Sequence, residues 1–226
     1  MFNEVCTYFL LFIIYSMIGW CLETIYTRLT DKVWSNRGFL IGPYCPIYGI
    51  GAVSVVLFLS KYVHHPVALF ILAIAICSVL EYFTSYIMEK LFKARWWDYS
   101  NNKYNINGRI CLETMIPFGL GACVLVYFIN PFFEGLLRKI PTTGLEISAI
   151  TIAILFLCDI IASFNIVNNF KKTVKKVTMD DRTEDINKYV KNLISQKSLL
   201  HRRLINAFPK IQTTLKNIIP SKIKKD

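Results

Sequence analysis

Charge is scarce in this chain: 18% of its 226 residues are Asp, Glu, Lys or Arg, against an apolar fraction of 54%. Soluble domains carry about a quarter charged residues, so this balance and a mean hydropathy of +0.42 exclude an ordinary soluble globule and point to a membrane protein. No C-x-x-C pair is present. Cys6, Cys21, Cys77, Cys123 and Cys158 lie inside apolar runs, with Cys45 and Cys111 at the edges of others. That placement excludes a disulfide framework or a zinc site and makes the thiols small buried hydrophobes. The sequence also lacks G-x-x-x-x-G-K-[ST], G-x-S-x-G and H-E-x-x-H, so a P-loop ATPase, a hydrolase elbow and a zincin are excluded. Vicinal His64 and His65 are too close together to share one metal from a rigid helix. Neither a metal nor a cofactor is expected. No Lys or Arg precedes the first apolar run, which continues past the length of a signal h-region. It is expected to stay on the mature protein.

What is abundant is apolar and aromatic, with 16 Phe, 12 Tyr and 4 Trp. A bilayer core needs roughly 20 mostly apolar residues per helix, and five runs approach that length. They cover about residues 5–26, 43–60, 66–88, 110–128 and 145–166. The second is crowded at its start by Gly42, Pro43, Pro46, Gly49 and Gly51, which predicts a kink or a short re-entrant piece. Residues 1–170 form the transmembrane domain, with 11 Lys/Arg against 10 Asp/Glu, and residues 171–226 a basic cytoplasmic tail with 15 against 5. With the N-terminus outside, 23 Lys/Arg fall on the cytoplasmic side and only Lys61, Arg138 and Lys139 on the outer side. The positive-inside rule therefore sets N-out and C-in.

Two halves of the body look alike. Leu22-Glu23, Thr27 and Asp31 align with Leu80-Glu81, Ser85 and Glu89 at the same offsets of 4 and 8, which line one helix face. Each helix is followed by a Trp-bearing loop, then by Asn36-Arg37-Gly38 or Asn107-Gly108-Arg109, then by Gly49-Ile50-Gly51 or Gly119-Leu120-Gly121. The fold class expected is an all-α integral membrane bundle of about five helices. It consists of two tandem helix-loop-helix repeats in one orientation plus a fifth helix, with an amphipathic tail helix seamed by Ile186, Val190, Leu193, Lys197, Leu200 and Leu204. That tail is read as docking on the membrane surface. Nucleic acid is disfavoured as its partner.

Glu23, Glu81, Glu113 and Asp159 fall within or at the edges of spans, where an ionised carboxylate costs a few kcal/mol. All four lie in the cytoplasmic half, and Arg37 and Arg109 are the nearby counter-charges. The candidate site is a polar cavity open to the cytoplasm for an ion, proton or anionic substrate, with Asn36, Asn107 and Asp98 at its mouth. Asp98 belongs to a loop, Arg95-Trp96-Trp97-Asp98-Tyr99, read as an interfacial belt or a lid. No catalytic role is assigned. Internal ion pairs that lock the helices are the structural alternative. A membrane-embedded enzyme on lipid-linked or phosphorylated substrates, using Asp98 or Glu113 as acid or base, is another.

Gly19-Trp20, Glu23, Asn36 to Pro43, Cys45-Pro46-Ile47-Tyr48-Gly49, Leu80-Glu81-Tyr82, Trp97-Asp98-Tyr99 and Asn105 to Arg109 together resemble the bacterial family labelled putative ABC-transporter type IV, the CmpB-like ABC transporter permeases. The resemblance covers roughly residues 5–140. It implies a multipass protein of the bacterial cytoplasmic membrane with a permease role in transport. It also implies a separate ATPase subunit, since this chain has no P-loop. Membrane lipids and a second copy of the chain complete the partners expected. The family brings no settled catalytic residues to carry over.

Overall fold

Apolar runs with few charges become long helices, because in hydrocarbon each backbone N–H and C=O must be satisfied within its own segment. The computed structural model describes residues 1–32, 38–92, 94–95, 97–177 and 212–213. The described chain is predominantly helical. Helix α1 spans Phe2–Asp31 and ends on Lys32 in the left-handed conformation, φ 55°, a common helix stop. Helix α2 spans Pro46–Leu59, with Pro46 in the first turn, where its missing N–H has no partner to lose. A 3₁₀ turn, Ser60–Tyr62, prolongs it. Helix α3 spans Pro66–Phe92.

Helix α4 spans Leu112–Val124, passes through a π-helical turn at Leu125–Ile129, and continues as α5, Asn130–Leu137. The wide turn lies just before Pro131, whose ring would clash with the carbonyl four residues back in a regular helix. The rod thereby runs past a proline without breaking, well beyond the 128 expected from the apolar run. Helix α6 spans Thr142–Val177. Two short antiparallel ladders lie outside the helices. One pairs Asn105–Ile106 with Ile110–Cys111, and the other pairs Ala94–Arg95 with Gln212–Thr213.

Among the described residues four helical stretches are long and apolar enough to cross a membrane: Phe2–Thr30, Pro66–Leu91, Leu112–Leu137 and Thr142–Ile166. The fifth expected span corresponds to the shorter Pro46–Tyr62. It begins three residues later than the apolar run because residues 38–45 form a bent, non-helical stretch. The predicted tail seam, residues 186–204, lies outside the described residues.

Helix α1 packs along α2, α3 along α4, α2 against α3, and α6 against α1. Leu10, Leu11 and Tyr15 of α1, Val55 and Leu59 of α2, Leu69 and Ala73 of α3, Ala122 and Leu125 at the α4 end, and Ala149 of α6 form the core. Outside it, large apolar residues stand exposed, among them Ile147, Ile150, Ile154, Leu157 and Ile161 along α6. Such an apolar surface suits contact with lipid. Glycines set the closest approaches. Gly49 of α2 sits against Phe12 and Ser16 of α1, and Gly119 of α4 against Phe70 and Ile74 of α3. Tyr48 and Phe118, each one residue before its glycine, meet edge to face with centroids 6.1 Å apart.

Candidate functional site

The C-terminal halves of α1 and α3 carry the acids, and the loops that follow them fold back over these halves. Glu23 is half-buried, and its Oε1 accepts a hydrogen bond from the Tyr48 hydroxyl of α2 at 2.5 Å. Tyr48 reaches Glu23 because its ring lies directly over Gly19, where a Cβ would collide with it. One turn on, Thr27 is buried and returns its hydroxyl to the Glu23 carbonyl at 2.8 Å.

On α3, Glu81 is 5% exposed. Its Oε1 accepts from the Tyr99 hydroxyl at 3.2 Å, while its Oε2 has no hydrogen-bond partner. The hydroxyls of Thr24 and Ser78, both buried, are also unpartnered. Burial first, then the charge and hydrogen bond of Glu81, then the charge of Glu23, hold the Tyr99 hydroxyl well above the ordinary tyrosine range. One phenol thus feels both carboxylates, which places Glu23 and Glu81 in one electrostatic neighbourhood.

Tyr99 is delivered by a rigidly braced loop. Its N–H donates to the Gly108 carbonyl at 2.8 Å, and the Trp97 indole donates to the Arg109 carbonyl at 3.0 Å. Asn105 accepts from the Gly108 N–H at 2.9 Å and donates to the Asn102 carbonyl at 2.7 Å. Asn107, with φ 53°, and Gly108, with φ 66°, make the left-handed corner; Asn and Gly tolerate that conformation best. Asn107 also donates to the Tyr82 hydroxyl at 2.9 Å, which fastens the corner to α3. Asp98 is exposed and accepts from the backbone N–H and hydroxyl of Ser100, at 3.0 and 2.5 Å, which shapes the turn.

Arg109 is buried on α3. Its Nη2 pairs with Glu89 at 2.7 Å, its Nη1 donates to Ser85 at 3.2 Å, and the guanidinium lies over the rings of Tyr82 and Tyr86 at 5.7 and 5.4 Å. The sequence reading made Arg109 a counter-charge for Glu23, Glu81, Glu113 or Asp159. The structure gives it to Glu89, two turns past Glu81 on the same helix. Glu113 is exposed and accepts from Asn102 at 2.6 Å, so it ties the loop to the start of α4. Asp159 accepts from the N–H groups of Ile41 and Gly42, at 2.9 and 2.7 Å, and from Ser163 at 2.9 Å. The Tyr44 hydroxyl bonds to it as well. Among the described residues this carboxylate therefore takes its compensation from backbone and hydroxyl donors, not from a cation. Asn36 and Arg37 lie outside the described residues.

Seven of the nine sequence candidates thus separate into a Glu23–Glu81 pair, loop braces at Asp98, Asn107, Arg109 and Glu113, and a staple from α6 at Asp159. Sequence reasoning missed Tyr48 and Tyr99 as the groups that hold the two acids, although both stand inside the strings that carry the family resemblance. Their partners are 25 and 18 residues away, and only the tertiary fold brings them together. Among the described residues no three His, Cys, Asp or Glu groups converge as a metal cage would require.

These features define a helical protein suited to a membrane, with a buried polar centre between its helices. The chain belongs to the family described as putative ABC-transporter type IV, whose model matches residues 10–164. No curated protein and no solved structure matches it.

Proposed function

We propose that this chain is the membrane-spanning, permease-like component of a transport system of the bacterial cytoplasmic membrane, driven by a separate ATPase subunit. The observation that carries this reading is the Glu23–Glu81 pair: two acids from different helices, one buried with an open valence. An ionised group in that position is expensive, and intramembrane acids of this kind mark the paths of ions and substrates. The family membership supports the transport class, and the chain's lack of a P-loop calls for a partner to hydrolyse ATP.

In this reading the chain crosses the bilayer five times, N-out and C-in, with Pro46–Tyr62 as its short second span. Two helix hairpins, α1–α2 and α3–α4, are parallel repeats. Support comes from the glycine contacts: Phe12 and Ser16 against Gly49, and Phe70 and Ile74 against Gly119. The first-helix residues stand 58 apart in both cases, the spacing that also aligns Glu23 with Glu81. Half-buried Glu23 faces the end where both long loops gather, which in this orientation is the cytoplasmic end, so the polar centre opens that way. The enzyme alternative loses ground because its groups are otherwise engaged, Asp98 in a turn, Glu113 with Asn102 and Arg109 with Glu89.

The test is affinity purification of the full chain from its native membrane, followed by uptake in cells. Co-purification of a nucleotide-binding subunit, with uptake lost in Glu81→Gln at normal membrane abundance, is the expected result. Unaltered uptake in Glu81→Gln, or purification without any ATPase, refutes the reading.

A further inference from the structure

Among the described residues, the two acids of the central pair are bonded only by neutral groups. Tyr48 and Tyr99 each donate a hydrogen bond but bring no charge. The ion pairs seen among the described residues lie elsewhere: Arg109 with Glu89, Arg138 with Glu134, and the terminal amine with Glu4. Glu81 Oε2, Ser78 Oγ and Thr24 Oγ1 are buried oxygens with unfilled lone pairs. Ser78 is one turn before Glu81 on the same face of α3, and Thr24 follows Glu23 directly. Buried polar atoms in native proteins nearly always have partners, so three orphans on the two helices that carry the acids, one of them on Glu81 itself, call for a specific explanation.

The chemistry narrows what could fill them. Carboxylate and hydroxyl oxygens are hard ligands that take positive charge. The described residues hold no cage of three metal-binding groups, which argues against a divalent ion held by protein ligands alone. The orphan oxygens are closed to water, which argues against a hydrated ion or an organic ammonium. We propose that Glu23 and Glu81 together bind one small monovalent cation, an alkali ion or a proton, with Glu81 Oε2 and Ser78 Oγ as its open ligands and the Tyr48 and Tyr99 hydroxyls fixing the carboxylates. The proposal deepens the reading of this pair as the working centre and rests on it. Half-buried Glu23 is the entry side, and Tyr99, on the loop braced by Arg109, closes the Glu81 side. Among the described residues the titratable groups around Glu81 are Cys77 on its own helix, Glu23 on α1 and Tyr99 on the loop, with Cys111 beside Tyr99, Tyr48 beside Glu23 and Cys45 beside Tyr48.

The experiment uses the purified full chain in detergent. Its unfolding midpoint is followed while LiCl, NaCl or KCl replaces choline chloride at constant ionic strength. The carboxyl proton is followed by infrared spectroscopy across an alkaline titration. An alkali site gives saturable stabilisation by one of the three ions, with a rise of roughly 5 °C or more at a hundred times half-saturation. A proton site gives no alkali effect but a carboxyl C=O band that vanishes on titration. Either response is lost or weakened at least about tenfold in Glu81→Gln, a loss of about 1.4 kcal/mol, and is retained in Glu4→Gln. Ser78→Ala removes a ligand oxygen without touching charge, weakens the alkali response, and serves if Glu81→Gln does not fold. Wild-type protein with neither response overturns the proposal, as does a response equal in Glu81→Gln. So does a cation-insensitive protein whose fold collapses in Arg37→Gln, since the counter-charge is then internal. The binding is read on the isolated chain, so it can fail while the ATPase co-purifies, or succeed when none does.

Discussion

The helix contact at Gly49 yields the sharpest prediction. A Cβ at this position would stand 2.5 Å from the Phe12 carbonyl oxygen and 2.7 Å from Phe12 Cδ2, and closer still to Ser16 Oγ. The hydroxyl and the ring can rotate, but the carbonyl belongs to the α1 backbone and is already part of its hydrogen-bond ladder. Gly49→Ala must therefore push α1 and α2 apart by about an ångström over the contact, against the core that buries Leu11 of α1 and Val55 of α2. Overpacking of this kind costs about 1–3 kcal/mol, which lowers the unfolding midpoint by roughly 2–4 °C per kcal/mol in a chain of this size. Gly51, half a turn further along the same helix, has nothing within 4 Å of its Cβ position. Gly51→Ala should be neutral, or stabilising by up to about 1 kcal/mol through helix propensity. Gly119→Ala falls between, because its Cβ would meet side-chain atoms only, those of Phe70 and Ile74. The assay is heating of the purified variants in detergent, with the monodisperse fraction measured at each temperature. An order other than Gly49→Ala below Gly119→Ala below Gly51→Ala, above all a Gly49→Ala no weaker than Gly51→Ala, refutes the packing argument.

Three further outcomes are expected. Asp159→Asn places an amide opposite the N–H groups of Ile41 and Gly42, so it should cost about 1–3 kcal/mol and raise amide exchange at those two positions; unchanged protection there would show that Asp159 does not hold the loop. Arg109→Lys keeps a charge toward Glu89 but loses the Ser85 bond and the stacking on Tyr82 and Tyr86, a loss of about 1–2 kcal/mol. It is read as faster proteolysis of the loop at 97–111, and equal cleavage rates would count against the clamp. The Tyr99 hydroxyl is held above the ordinary tyrosine range in the folded state, so the stability it contributes is fully present below pH about 10. That stability is lost as pH rises through its folded value. Alkaline absorbance titration of Tyr99→Phe should leave the tyrosines that ionise near pH 10 undiminished, whereas a loss of one from that group contradicts the placement.

The helical architecture was readable because hydrophobic runs are dictated by the bilayer, which leaves little freedom in where long apolar helices lie. Ends were less readable. The rod Leu112–Leu137 outlasts its apolar run because a π turn carries it past Pro131, and nothing in hydropathy signals such a turn. Glu81 stood out by its burial cost, since a carboxylate has no inexpensive explanation inside an apolar helix. The partners of the acids did not: Arg109 was assigned to the acids by charge alone, yet Glu89, with Ser85 and two tyrosine rings, offers it a complete set of contacts on one helix face. Asp159 was given the arginines as counter-charges on the same ground, whereas the N–H groups of Ile41 and Gly42 donate to it. Residues 36 and 37 and the tail seam remain sequence expectations.

The short helix Pro46–Tyr62 has a consequence for the lipid around it. Its 17 residues rise about 25 Å, less than the roughly 30 Å of a typical hydrocarbon core. In the proposed five-span arrangement the difference falls to the bent stretch at 38–45, where the carboxylate of Asp159 accepts from the amides of Ile41 and Gly42 in the place water would hold. In that arrangement, lengthening the surrounding acyl chains would strain that carboxylate's grip before it disturbed any of the longer helices.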